Sequence, residues 1–233
     1  MIKAVLFDVG STLLFHSPDI DGVFYEAAQS RGHSPSLEEL SAFLPEVYRF
    51  YEDEYQKDGD FWCCPEGSVE IYLKMYRYLC RHVGLQADAE GIAREVYRLY
   101  LGAAYWRIYE DVLPCLETLR ERGLRLGVIS NWGTFLKGLL CDLGLEPYFE
   151  VIIASADVGC RKPDPAIFEL ALERMGLAPH EVLYVGDNPE ADGEGALAAG
   201  ITPVIIDRLS RHEDYALTRI SSLAELTRCR PLL

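Results

Sequence analysis

An aspartate stands where the first apolar run of the chain ends in a glycine-containing turn. Residues 4–7 are apolar, Asp8 follows them directly, and Gly10 lies two positions further on. A short, unbroken apolar run closed by such a turn is typical of a buried parallel strand. Ligands of open α/β sheets bind beyond the carboxyl ends of the strands. The Asp8 carboxylate is therefore either a chemical group at a ligand site or a cap of its own turn.

Further polar positions follow later apolar runs. Ser130 and Asn131 end one run, Asp187 follows another, and Asp192 lies five residues beyond Asp187. Each has an ordinary alternative role, such as a helix cap or a turn residue. Because parallel strands end at the same edge of a sheet, we expect these residues to lie on the same side as Asp8.

The charge of the chain limits what it binds. The formal net charge is −15, with 37 acidic and 22 basic side chains. Nucleic acids and anionic membranes attract basic surfaces, so we expect neither as the main partner. An anionic substrate would need a few local cations to overcome the negative charge of the whole protein. Lys162 and Arg161, which lie in one loop, are candidates for this role. Lys162 alone could also be an ordinary solvated lysine.

Cysteine usage and the amino terminus favour a cytoplasmic protein. The seven cysteines are odd in number and form no C-x-x-C pair, so neither a disulfide framework nor a cysteine zinc site is indicated. The amino terminus has no signal-peptide pattern, and no segment reaches the roughly twenty apolar residues of a membrane span.

Strand and helix patterns alternate through the second half of the chain. The apolar runs there predict strands, and helical patterns that end in glycine lie between them. This alternation predicts an α/β fold with a doubly wound parallel sheet. The predicted strands span 124–129, 149–154, 182–185 and 201–206.

A helical block interrupts this α/β pattern after the first strand. From residue 19 to residue 109 the chain is rich in tyrosine, follows helical spacing, and shows no convincing strand. Pro45 is expected to kink or split the longest of the helices. We therefore predict a core domain of residues 1–16 and 108–233, with an inserted helical cap of residues 17–107. The cap is expected to overhang the strand ends, and the protein to be a monomer or a homodimer.

Four stretches resemble the motifs of one hydrolase superfamily. DVGSTL (8–13), VISN (128–131), RKPDP (161–165) and VGDNPEAD (185–192) resemble motifs I to IV of haloacid dehalogenase (HAD) superfamily hydrolases. The motifs occur in the right order, and the resemblance covers the whole chain. It implies a Rossmann-like α/β core with an α-helical cap of the C1 type, inserted between motifs I and II.

The resemblance also implies covalent catalysis on a small phosphorylated metabolite. Asp8 matches the first aspartate of motif I and is the expected nucleophile. A carboxylate that attacks phosphorus forms an acyl-phosphate, which is hydrolysed more easily than the original ester. Ser130 and Lys162 are the other expected catalytic residues. Both, with Asn131, are expected to bind the transferring group, and Lys162 would also keep Asp8 ionised.

A magnesium ion is the expected cofactor. Carboxylates that converge near an anionic substrate repel it and one another, so a hard divalent cation is needed among them. The expected ligands are Asp8, Asp187 and the main-chain carbonyl of Gly10. Asp192 is expected as a third carboxylate ligand or as a group just behind the ligands.

Gly10 departs from the pattern of the superfamily. Phosphatases of this superfamily usually carry a second aspartate here, which protonates the leaving oxygen and later activates water. Glycine cannot transfer a proton, and general acid–base catalysis contributes about 10²–10⁴-fold. A similar departure marks the subgroup called haloacid dehalogenase-like hydrolase domain-containing protein 3.

Three interpretations of this departure stay open. The first is a phosphatase whose leaving group needs little protonation, such as an acyl, enol or aryl oxygen, or in which His16, Asp19 or Asp21 substitutes for the acid. The second is a metal-free 2-haloacid dehalogenase, for which Asp187 and Asp192 would be unnecessary. The third is a catalytically impaired binding protein. We favour the first.

Overall fold

A computed structural model of the chain describes residues 1–57, 59–212 and 215–228. Its strands are β1 (Ala4–Phe7), β2 (Leu14–His16), β3 (Trp106–Ile108), β4 (Arg125–Ser130), β5 (Val151–Ala154), β6 (Val182–Gly186), β7 (Thr202–Ile206) and β8 (Arg219–Ile220). In the described residues six of them form one sheet in the order β5-β4-β1-β6-β7-β8. Its paired strands run parallel. Strands β2 and β3 pair separately.

Helices flank this sheet and also form the segment between β2 and β3. They are α1 (Ile20–Ser30), α2 (Leu37–Lys57), α3 (Pro65–His82), α4 (Ala89–Tyr100), α5 (Val112–Glu121), α6 (Leu136–Asp142), α7 (Ser155–Val158), α8 (Pro165–Met175), α9 (Gly195–Ala198) and α10 (Leu223–Arg228). A parallel sheet with flanking helices confirms the predicted α/β fold class. None of the described helices is both long and apolar enough to cross a membrane.

Strand β1 is the central element of the sheet. Its four residues are fully buried, as expected for an apolar run that is covered on both faces. Phe7 is level with Val128 of β4 on one side and with Val185 of β6 on the other. Residues that follow β1, β4 and β6 therefore emerge close together at one edge of the sheet.

The chain divides into two compact units. One contains residues 1–15 and the chain from residue 108, and the other spans His16–Arg107. The first holds the six-stranded sheet, and the second holds helices α1 to α4. The predicted core domain extends to residue 233, but residues 229–233 lie outside the described residues.

The helical unit differs from the sequence prediction at two places. Helix α2 runs unbroken through Pro45, so of the expected kink or split the split does not occur. Packing of α2 against α1 and α3 offsets the hydrogen bond that proline cannot donate. Trp106–Ile108 form a strand where no strand was predicted, because three residues are too few to show a periodic pattern.

Candidate active site

The register of the sheet brings three predicted site residues to one edge. Asp8 leaves the end of β1, and its backbone N–H donates to the Val185 carbonyl at 2.8 Å. Ser130 is the last residue of β4, and Asp187 directly follows β6. Because β1 lies between those two strands, the prediction that these residues share one edge is confirmed.

The Asp8 carboxylate is held on one of its oxygens. Oδ1 accepts a hydrogen bond from Ser130 Oγ at 2.9 Å and one from Lys162 Nζ at 2.7 Å. Oδ2 accepts no hydrogen bond from the described residues. Burial raises the pKa of Asp8, Lys162 lowers it and Asp192 raises it, and the net pKa lies above its usual value. The geometry thus orients the carboxylate through one oxygen and leaves the lone pairs of the other without a donor from the described residues.

Lys162 is buried in the same site, and its ammonium group makes three polar contacts. Nζ lies 2.7 Å from Asp8 Oδ1, 2.5 Å from Asp192 Oδ1 and 2.9 Å from Tyr184 Oη. Burial lowers the pKa of Lys162, but Asp192 and Asp8 raise it by more, so the net pKa lies above its usual value. Lys162 is therefore a fixed positive charge rather than a mobile surface lysine.

The Asn131 side chain holds the backbone of Lys162. Asn131 Nδ2 donates to the Lys162 carbonyl at 2.9 Å, and the Lys162 N–H donates to Asn131 Oδ1 at 2.8 Å. This pair of bonds ties the end of β4 to the loop that carries the lysine. The amide group of Asn131 is thus engaged within the protein, which leaves one Nδ2 hydrogen and the backbone N–H for a substrate.

Asp192 reaches the site from a single π-helical turn, Pro189–Glu194. Its Oδ1 accepts from Lys162 and lies 3.1 Å from Tyr184 Oη, and its Oδ2 accepts from the Asn188 N–H at 2.9 Å. Gly186 makes this placement possible. An added Cβ at Gly186 would lie 2.6 Å from Asp192 Cβ and closer still to its carboxylate.

Asp187 completes a cluster of carboxylates. Asp8, Asp187 and Asp192 each offer an oxygen atom within 4.8 Å of the others. Burial, followed by Asp8 and Asp192, raises the pKa of Asp187 well above its usual value. Within the described residues Lys162 alone forms ion pairs with this cluster, so full ionisation leaves two uncompensated negative charges. Such a charge deficit and an all-oxygen donor set fit Mg²⁺.

Gly10 lies beside the indole ring of Trp132. A Cβ built on Gly10 would lie 3.5 Å from Trp132 Cζ3, an ordinary van der Waals distance. Trp132 is buried, and its backbone N–H donates to Ser155 Oγ at 3.1 Å. The position can therefore accept a side chain, although the sequence supplies none.

Sequence reasoning missed Tyr184. It is fully buried in β6, and its hydroxyl contacts Lys162, Asp192 and the Ile129 carbonyl. A tyrosine within the apolar run VLYVG resembles a core residue. Its position in the strand could have indicated a role in the site, because Tyr184 lies two residues before Gly186 and therefore on the same face of the strand.

Comparison with known families is consistent with this arrangement. The family model for haloacid dehalogenase-like hydrolases matches residues 2–200, which include all four motifs. The chain belongs to the haloacid dehalogenase-like hydrolases. It is therefore a hydrolase by family, and the resemblance inferred from its motifs is confirmed.

Individual members of the HAD superfamily match over most of the chain. The chain is 32% identical over 216 residues to glyceraldehyde 3-phosphate phosphatase of Methanopyrus kandleri, which covers 89% of this chain and 85% of that protein. It is 35% identical over 211 residues to haloacid dehalogenase-like hydrolase domain-containing protein 3 of Danio rerio, with coverage of 89% and 86%. The predicted similarity to that subgroup is confirmed.

A solved structure agrees with the fold. The HAD phosphatase from Thermococcus onnurineus superposes with a TM-score of 0.67 at 29% identity, over 97% of both chains. The Rossmann-like core with an inserted helical segment is therefore shared with known HAD hydrolases.

Proposed function

We propose that this HAD hydrolase is a magnesium-dependent phosphatase that acts on a small phosphorylated metabolite through an aspartyl-phosphate intermediate. One observation carries the proposal. Asp8 is fixed through Oδ1 by Ser130 and Lys162, Oδ2 has no hydrogen-bond donor among the described residues, and the carboxylate belongs to a cluster with a deficit of positive charge. The phosphatase names of the relatives in Methanopyrus kandleri and Thermococcus onnurineus support the same reaction class.

In the first half-reaction, one oxygen of the Asp8 carboxylate attacks the phosphorus atom. A bond forms between this oxygen and phosphorus, and the bond between phosphorus and the leaving oxygen breaks with its electron pair on that oxygen. Lys162 and Ser130 hold the attacking carboxylate in one orientation, which reduces the loss of freedom needed to reach the transition state. The fixed charge of Lys162 also stabilises negative charge that develops on the phosphoryl group.

In the second half-reaction, water attacks the aspartyl-phosphate. A bond forms between the water oxygen and phosphorus, and the bond between phosphorus and the Asp8 oxygen breaks with its electron pair on that oxygen. The protons of the water leave with inorganic phosphate or pass to solvent, and the Asp8 carboxylate is restored. Ser130 and Lys162 then hold Asp8 as before. One hydrogen of the Asn131 amide and its backbone N–H are available to bind phosphoryl oxygens throughout.

The residues that would hold Mg²⁺ are Asp8, Asp187 and the carbonyl of Gly10. Asp192 has both oxygens engaged by Lys162, Tyr184 and the Asn188 N–H, so we assign it to the support of Lys162 behind the metal ligands. When bound, Mg²⁺ supplies charge neutralisation for the anionic substrate and the carboxylates.

Gly10 determines which substrates suit this site. Without an acid at position 10, the leaving oxygen departs unprotonated unless another group supplies a proton. The leaving oxygens of aryl, enol and acyl phosphates can depart as anions without a proton, whereas the alkoxide of a simple alkyl phosphate is too basic to do so. We therefore propose substrates of the first kind.

The test is product release by the purified protein with and without Mg²⁺, beside an Asp8→Asn control. The substrates are an aryl phosphate, two alkyl phosphates and a short 2-haloacid. We expect phosphate release from the aryl ester that needs both Mg²⁺ and Asp8, with slow release from the alkyl esters.

Three other outcomes would contradict the proposal. Halide release without metal would identify a 2-haloacid dehalogenase, in which the leaving group needs no proton. Full release of phosphate by the Asp8→Asn variant would exclude the aspartyl-phosphate route. Inactivity on all three substrate classes, together with binding of phosphate esters, would favour an impaired binding protein.

A further inference from the structure

The Tyr184 hydroxyl is a junction between several elements of the site. It lies 2.9 Å from Lys162 Nζ, 2.9 Å from the Ile129 carbonyl and 3.1 Å from Asp192 Oδ1. Tyr184 belongs to β6 and Ile129 to β4, and β1 separates these two strands. The side chain therefore reaches past the strand that carries Asp8 and contacts the residue directly before Ser130.

The donors and acceptors of this junction balance. A lysine ammonium has three N–H donors, and those of Lys162 point to Asp8 Oδ1, Asp192 Oδ1 and Tyr184 Oη. Tyr184 Oη therefore accepts from Lys162, and its own proton is free for another acceptor. The Ile129 carbonyl, at 2.9 Å, is the nearer one. Every N–H of the buried ammonium thus has a partner.

Tyr184 is also a tightly packed partner of Lys162. Its ring is fully buried and packs edge-on against Phe168, with 5.0 Å between the ring centroids. Burial and then Asp192 raise the pKa of Tyr184 well above its usual value, so the hydroxyl keeps its proton. Lysine has a flexible stem with much rotamer freedom. A neutral, immobile acceptor can therefore define where the ammonium sits.

We propose that Tyr184 is a positioning residue, which fixes Lys162 Nζ against Asp8 Oδ1 and links this contact to the end of β4 through the Ile129 carbonyl. The position of the ammonium follows from the contacts above, and its effect on turnover rests on the proposed phosphatase function. Tyr184 itself does not touch Asp8 Oδ2.

The kinetic test compares Tyr184→Phe with Tyr76→Phe. Tyr184→Phe keeps the ring and removes only the hydroxyl, which leaves one buried N–H of Lys162 without its acceptor. Tyr76 is an equally buried tyrosine of the helical unit and serves as the matched control. With an aryl phosphate and Mg²⁺, we expect Tyr184→Phe to lower kcat about tenfold or more, with a smaller change in KM. Tyr76→Phe should keep the kcat of the original protein.

A double-mutant cycle separates positioning from a general structural effect. If Tyr184 acts through Lys162, then Tyr184→Phe should change the residual rate of a Lys162→Met variant less than about twofold. An equal loss of rate in both backgrounds would overturn the proposal. So would an equal loss of kcat in the Tyr76→Phe control.

A spectroscopic arm does not depend on turnover. In protein labelled with ¹⁵N-lysine, a buried ammonium with three partners exchanges its protons slowly and gives a ¹H–¹⁵N signal, which the Lys162→Met variant assigns. We expect this signal to show cross-relaxation with the Tyr184 ring, whose centroid lies 5.4 Å from Nζ. The signal should shift or vanish in Tyr184→Phe and persist in Tyr76→Phe.

The kinetic and spectroscopic experiments together show whether the phosphatase proposal or the positioning role of Tyr184 has failed. If the original protein releases no phosphate but the Lys162 signal behaves as described, the phosphatase proposal fails and the positioning role stands. An unchanged Lys162 signal in Tyr184→Phe, or no cross-relaxation with Tyr184 in the original protein, would overturn the positioning role. The cross-relaxation is measured in the original protein, so it decides even if a variant does not fold.

Discussion

Replacing Gly10 by aspartate would place a carboxylic acid next to the proposed nucleophile. The structure accepts the change, because an added Cβ would make an ordinary contact with Trp132 at 3.5 Å. Gly10 is also not among the glycines with positive φ, so an L side chain adds no backbone strain there. We therefore expect Gly10→Asp to fold and to keep the network of Asp8, Lys162 and Ser130 intact.

The size of the effect should depend on the leaving group. General acid–base catalysis contributes about 10²–10⁴-fold where a proton is needed. We expect kcat/KM of Gly10→Asp for alkyl phosphates to rise by about 10²-fold or more. Aryl phosphates should gain much less, because a phenolate leaves readily without a proton. The dependence of rate on leaving-group pKa should therefore become shallower.

The assay is phosphate release from a series of aryl and alkyl phosphates, and Gly10→Asn is the matched control. Asparagine has nearly the same size and polarity but cannot transfer a proton. An equal gain with Gly10→Asn would show that the new side chain acts by binding rather than as an acid. No gain in a folded, Mg²⁺-binding Gly10→Asp variant would refute the reasoning, because the missing acid would not limit turnover.

Two further predictions concern the acidic cluster. The folded-state pKa of Asp187 is raised above its ordinary value of 3.8. Between the unfolded-state pKa and the folded-state pKa, the carboxyl group has lost its proton in the unfolded state but keeps it in the folded state. The free energy of unfolding of the metal-free protein should therefore fall as the pH rises through this range. Asp187→Asn should remove this decrease in thermal unfolding scans. It should also abolish most of the Tm increase from Mg²⁺, about 5–10 °C at 100-fold Kd; an unchanged increase would exclude Asp187 as a ligand. Gly186→Ala should displace Asp192, lower kcat about tenfold or more and reduce the free energy of unfolding by about 1–3 kcal/mol. Gly138→Ala is the control, because nothing lies near an added Cβ there, and it should leave kcat unchanged.

The residues at the carboxyl ends of the strands were predictable from the sequence, because each follows directly from a short local pattern. An apolar run that ends in a polar residue predicts both a buried strand and the residue at its carboxyl end. Parallel pairing then brings Asp8, Ser130 and Asp187 together without any knowledge of side-chain contacts. The contact of Lys162 with Asp8 needed the family resemblance, since the lysine comes from a loop 154 residues away along the chain.

The contacts behind these residues were not predictable in the same way. The Tyr184 hydroxyl reaches past β1 to the Ile129 carbonyl, and no local pattern reveals such a contact. Asn131 was expected to bind the substrate through its side chain or its backbone amide, and the hydrogen bonds of its side chain to the backbone of Lys162 had no signal in the sequence. Both cases involve polar groups that satisfy one another in a buried site, and this pairing appears only when the strands are assembled.

The Lys162 network and Gly10 act on different parts of the proposed reaction. The network around Lys162 fixes the attacking carboxylate, and it is complete in this chain. The absence of an acid at Gly10 affects the departure of the leaving group and also the activation of water in the second half-reaction. A good leaving group relieves only the first of these difficulties, because the proposed aspartyl-phosphate is the same for every substrate. The chemistry of the leaving group should therefore select the substrate, and the missing acid should slow hydrolysis of the intermediate to the same extent for every substrate.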